Sequence, residues 1–294
     1  MKKGILIKIF IASLFFPGCR SDHKPANVLD FDSIDFTESE SHISPLDTLG
    51  EGLPIFYNMY LSVELSSLFE SAGAVFKSEL MNNTDKVSEY ITSSQKAINL
   101  GVYAVDLSYA KVFDETETAS RYFYVMQQLA KELGIPGEYF ENTVQRFERN
   151  IADKDSLIYL ANEVYVTTER FLKENERYTS AAMIITGGWV EAIYIAVDVA
   201  IESKDPEIIE RLIDQKYSLN NLMLMLSEHK DNEVVTEYLK ELSNLKTEFD
   251  KITIMFDIDF NERSPTGKEL INKAVLQIRE FGLNVSKLRV KMIS

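Results

Sequence analysis

Four polar side chains sit inside otherwise apolar runs and are the residues most able to do chemistry. Asn99 and Asp106 lie in "AINLGVYAVDLSYA" (97–110), and Glu191 and Asp198 lie in and just beyond "AAMIITGGWVEAIYIA" (181–196). At about 100° per residue of helix, Glu191 and Asp198 share one thin stripe with Arg177, Ser180 and Glu202. In the first segment Asn99 and Asp106 fall in one wedge with Thr92 and Gln95. Carboxylates on two such seams could hold a cationic ligand between helices or form structural ion pairs. A buried carboxylate without a partner is very costly, so each needs a donor or a cation. Arg121, Arg146, Arg170 and Arg177 are the candidates. Structural pairing is the preferred reading, and an interhelical ligand pocket is the alternative. On the structural reading, Asp106→Asn and Glu191→Gln should each lower stability.

Other chemistry finds little support. Of the three histidines, His23 and His42 precede the body, which leaves His229 in "LSEHKDN" near a helix C-terminus, where the helix dipole favours it. A di-iron site of two Glu-x-x-His helices therefore cannot be built, nor a His/Cys zinc site. "DIDFNERSPTGKE" (257–269) starts like a calcium loop with Asp257, Asp259 and Asn261. It has Glu262 where glycine is needed and Lys268 where the bidentate glutamate belongs. No P-loop, dinucleotide fingerprint or nucleophile elbow occurs. No metal site, cofactor or catalytic residue is predicted, and an enzyme is the least favoured class.

Cys19 is the only cysteine. It follows a basic start (Lys2, Lys3) and an apolar stretch from Ile5 to Phe16, too short to span a bilayer, which takes about 20 residues. The sequence "FFPGC" resembles a lipobox with Phe16 and Pro17 at two of its positions. Residues 1–18 thus read as a lipoprotein signal peptide, and Cys19 as a lipidated (palmitate-type) first residue of the mature chain. Two or more acyl chains give stable anchoring. Residues 20–52 carry eight acids and two bases with no helical period, the composition of a flexible tether. The whole chain has 31 basic and 46 acidic residues, a formal net charge of −15. Removing residues 1–18 takes away Lys2, Lys3 and Lys8 and no acid, leaving −18. Such a charge disfavours nucleic acid as a partner.

The polar seams need helices to position them, and residues 53–294 supply the pattern. Helical periodicity predicts helices near 55–80, 86–113, 116–133, 137–150, 155–174, 177–203, 206–230, 233–256 and 266–292. The expected fold is an all-α bundle of about nine helices behind the signal peptide and tether. Asp205-Pro206 and Ser264-Pro265 read as helix starts, Asn82-Asn83 as a break, and "KITIMFDIDF" (251–260) as ambiguous between helix and strand. The segment 179–203 is apolar enough to suggest a membrane span. Its regular polar stripe and two acids argue instead for a helix buried among other helices. Gly101, Gly187 and Gly188 would be close-contact points, with Trp189 turned into the core.

The two quoted segments resemble an uncharacterised family of helical lipoproteins of Bacteroidota, over roughly Phe56 to Ala200. The resemblance implies an envelope location and a helical fold and supplies no site residues. Together these readings predict a cell-envelope protein, lipid-anchored in the outer membrane with either face possible. It would contact the membrane through Cys19 and act by binding an envelope protein partner.

Overall fold

The computed structural model describes residues 72–139, 170–256 and 260–294, together with Phe69, Gln145, Thr167 and Thr168. The expected signal peptide and tether, with Cys19, Arg146, Asp257 and Asp259, lie outside the described residues, as do most of the expected helices 55–80, 137–150 and 155–174.

Six α-helices lie wholly within the described residues: α1 Ser93–Val112, α2 Thr116–Glu132, α3 Tyr178–Ser203, α4 Pro206–Ser227, α5 Glu233–Phe249 and α6 Pro265–Met292. Two short 3-10 helices, Ser78–Leu80 and Thr84–Glu89, precede them, and the described residues contain no strand. The architecture is the expected all-α one. Its starts are set locally. The Thr92 hydroxyl accepts from Gln95 N–H while the Gln95 side chain accepts from Thr92 N–H, a capping box. Asp205 caps α4 ahead of Pro206, and Ser264 caps α6 ahead of Pro265, as their sequences predict. Asn232 caps α5 through Val234 N–H and Val235 N–H. Each such cap is worth about 1 kcal/mol.

Three expected boundaries are corrected. The helix expected over 86–113 begins as α-helix only at Ser93, because Gln95 and Thr92 are spent on the cap rather than on the polar wedge. The helix expected to run to residue 80 is absent from 74–77, which are non-helical, and gives way to one 3-10 turn. The helix expected to reach 256 stops at Phe249. Beyond it Ile252 and Ile254 are buried while Thr253 and Met255 are exposed, an alternating pattern without a pairing strand.

α3 occupies the centre and packs on α1, α4 and α6; α2 covers α1, and α5 bridges α4 and α6. Its length and composition would suit a membrane span, yet 83% of its most apolar window is buried inside the protein. Trp189 is fully buried, as expected. α1 and α3 touch backbone to backbone at glycines. A Cβ on Gly101 would lie 2.0 Å from Ile184 O, and one on Gly187 would lie 2.0 Å from Ile98 O. Gly188 differs from expectation: its nearest neighbour, Gly101 O, would be 3.5 Å from an added Cβ, an ordinary contact. The crossing point is therefore Gly101 and Gly187.

Candidate functional site

The α1–α3 crossing sets two carboxyls against each other. Asp106 lies on the next turn of α1 beyond Gly101, and Glu191 follows Gly187 and Gly188 on α3. Both side chains are completely buried. The two carboxyls are electrostatic neighbours. A third element closes the site from α6. Arg289 Nε donates to Glu191 Oε2 and Arg289 Nη2 to Oε1, each at 2.6 Å, a two-pronged pair. Arg289 Nη2 also donates to Leu80 O at 2.7 Å, and the guanidinium lies 4.2 Å from the centre of the Tyr194 ring.

The chain between the two 3-10 helices supplies the fourth wall. Asn82 N–H donates to Asp106 Oδ2 at 2.9 Å, and Asn82 Nδ2 donates to Tyr90 OH at 2.9 Å and to Asn99 Oδ1 at 3.3 Å. Tyr122 OH donates to Asn82 O at 2.7 Å, and Tyr103 OH to Asn83 O at 2.9 Å. Asn99 Nδ2 reaches Gln95 O at 3.0 Å and, across to the end of α6, Met292 O at 2.9 Å. The Asn82-Asn83 break is thus a polar plug whose backbone groups are satisfied by the wedge on α1 and by two tyrosines.

Burial pushes the Asp106 carboxyl well above the usual carboxylate range, and the neighbouring Glu191 charge adds to it. Burial also raises Glu191, while the two N–H groups of Arg289 pull against that shift. The Arg289 guanidinium is driven down by burial and more than recovered by Glu191, so it stays charged. Tyr103 and Tyr122 are raised, burial first in each case, and remain neutral donors.

Of the four residues singled out by sequence, Asn99, Asp106 and Glu191 come together. Asp198 does not. It lies two turns further along the same face of α3, where Lys77 Nζ pairs with it at 2.6 Å and with Glu202 at 2.5 Å. None of the described candidate arginines reaches the carboxyls. Arg121 bonds Thr118, Arg177 bonds Leu133 O, and Arg170 is exposed. The partners that sequence reasoning missed are Arg289 and Asn82. A signal for Arg289 existed: it follows Val285 by four residues and precedes Met292 by three, a cation inside the apolar stripe of α6.

Among the described residues no group of three or more His, Cys, Asp or Glu side chains could hold a metal ion. His229 stacks on Tyr178 at 5.7 Å near the end of α4. A groove of about 470 Å3 lies elsewhere, between α5 and α6, walled by Glu241, Asn244, Glu248, Asn284 and Lys287. The carboxyl site is a closed interior network whose chemistry is charge pairing and proton holding. Comparison of the chain with protein-family models, with curated proteins and with solved structures finds no match.

Proposed function

We propose that the chain is a lipid-anchored protein of the cell envelope, held at the outer membrane through Cys19, whose helical body binds another envelope protein through its outer surface. The observation that carries this reading is Cys19 itself, the one cysteine of the chain, placed at the end of a short apolar leader behind Lys2 and Lys3. The inward-turned site supports surface binding over a pocket between central helices. The Asp106 and Glu191 carboxyls are wholly buried, and Arg289 and Asn82 answer them from within the fold. The exterior offers apolar contact instead. Leu276, Leu283 and Val290 are exposed on α6 and recur every seven residues along one line of the helix.

Replacing Cys19 with alanine should abolish lipid attachment. Labelling of cells with a radioactive fatty acid reads this directly; equal labelling of wild type and variant would refute the anchor. Affinity isolation from solubilised envelope should recover a partner with the wild-type chain and lose it with Leu283→Glu. A partner retained at wild-type yield by that variant would move the contact off α6, and no partner in either sample would count against the binding role.

A further inference from the structure

Charge bookkeeping at the α1–α3 crossing leaves one negative group too many. Asp106 and Glu191 are both fully buried, and the cation beside them is Arg289. Arg289 is already committed, with Nε and Nη2 on the two oxygens of Glu191 and Nη2 also on Leu80 O. On Asp106, Oδ2 accepts Asn82 N–H, while no N–H or hydroxyl donor among the described residues reaches Oδ1. Asp106 therefore keeps a buried, unanswered oxygen, and Glu191 is its charged neighbour. Two buried carboxylates beside one guanidinium leave an uncompensated charge; a carboxylic acid beside a carboxylate does not.

We propose that Asp106 and Glu191 form a buried one-proton binding site, with the proton on Asp106, and that its release loosens the C-terminal turn of α6 together with the Asn82–Asn83 crossing. The groups facing the site agree with this placement. α1 adds Tyr103, α2 adds Tyr122 with Arg121 further out, α3 adds Tyr194, and Tyr90 with Glu89 closes the side of the crossing. Burial raises Tyr90, Tyr103 and Tyr122, which stay neutral, so Arg289 is the cation that the described residues place in contact with the pair. Glu191 keeps the charge because Arg289 grips both of its oxygens, and Asp106 is left as the acid.

The coupling follows from what ties α6 down. Its end is held by Arg289 on Glu191, by Asn99 Nδ2 on Met292 O and by Lys86 Nζ on Ile293 O at 2.9 Å. Residues 80–83 are held by Arg289 on Leu80 O and by Asp106 on Asn82 N–H. A second charge at Asp106 sets two carboxylates in contact in the interior. The α1–α3 crossing is fixed by glycine contacts, so the strain is relieved at the last turn of α6 and at the non-helical crossing.

The sign is fixed by the direction of the shift. The folded chain keeps the Asp106 proton at a pH where the unfolded chain has lost it. The stabilisation is therefore complete below the ordinary carboxylate range and is lost as pH rises from there through the folded-state midpoint. Within that window the folding constant of the wild type, divided by that of Asp106→Asn, should fall about tenfold per pH unit.

The test uses the full chain with carbon-13 in its aspartate carboxyls, titrated by NMR. One aspartate should keep the shift of a neutral acid at pH 7, and its signal should vanish in Asp106→Asn. Amide exchange at 80–83 and 289–293 should accelerate with pH more steeply than in the rest of the body in the wild type, and no more steeply in the variant. If every aspartate titrates in the ordinary range, near about 4, the proton is not there. Equal steepening in both chains would break the link to α6. An Asp106→Asn chain that fails to fold also overturns the proposal, since the amide offers the same donor and acceptor as the neutral acid. The wild-type titration stands without that variant.

Discussion

Glu191→Gln should destabilise the body by about 3–5 kcal/mol, because it strands a buried guanidinium. Arg289 is 7% exposed, and among the described residues it keeps, without the carboxylate, Leu80 O and the Tyr194 ring. Arg289→Met should cost a similar amount by stranding Glu191 beside Asp106. The double variant should cost much less than the sum of the two, since an apolar or neutral replacement of a whole buried pair is often close to neutral. Denaturant melts of the wild type, both singles and the double close the cycle. Additive losses would mean that the two side chains contribute separately and that their pairing carries no energy. The sequence-based expectation treated Asp106 and Glu191 alike, each losing stability on neutralisation. The geometry separates them: Glu191 faces the cation and Asp106 faces Glu191.

What could be read beforehand was local. The polar wedge on α1 and the stripe on α3 are properties of single helices, and the caps at Asp205 and Ser264 are properties of four or five consecutive residues. The all-α architecture followed from the same periodicity. What could not be read was non-local. Arg289 meets Glu191 across 98 positions of sequence, and nothing in either segment points to the other. Asn82-Asn83 was legible as a break but not as a plug, because its worth lies in contacts to Asp106, Asn99, Tyr90, Tyr103 and Tyr122 that only the packed body creates. The end of α5 was misplaced for a similar reason. Ile252 and Ile254 are buried against the core in an extended segment, whereas Ile252, Met255 and Phe256 are also spaced as one side of a short helix would be, so the run fits both patterns until the neighbours are known. Asp198 was grouped with Glu191 by angle alone, whereas the two helical turns between them carry it beyond the end of the crossing to Lys77.

Gly187→Ala and Gly101→Ala should each lower stability, while Gly188→Ala should leave it unchanged or raise it. Two effects oppose one another at all three positions. Alanine is favoured over glycine inside a helix by about 1 kcal/mol. Against that stands overpacking, which typically costs about 1–3 kcal/mol in a close-packed core. Distance decides which wins. At Gly187 the new methyl would meet Ile98 O at 2.0 Å and at Gly101 it would meet Ile184 O at 2.0 Å. Both obstacles are main-chain carbonyls of a facing helix, so no rotamer change relieves them; α1 and α3 must move apart. That separation would also open the Asp106–Glu191 contact on the next turns, so the loss should lie at or above the upper end of the packing range. At Gly188 the nearest atom would be 3.5 Å away, and the propensity gain has nothing to overcome. Thermal melts of the three variants against wild type give the ranking. If all three melt at or above wild type, the crossing has room for a methyl group and the glycines serve no packing role. If Gly188→Ala falls with the other two, the crossing is tight along its whole length rather than at two points.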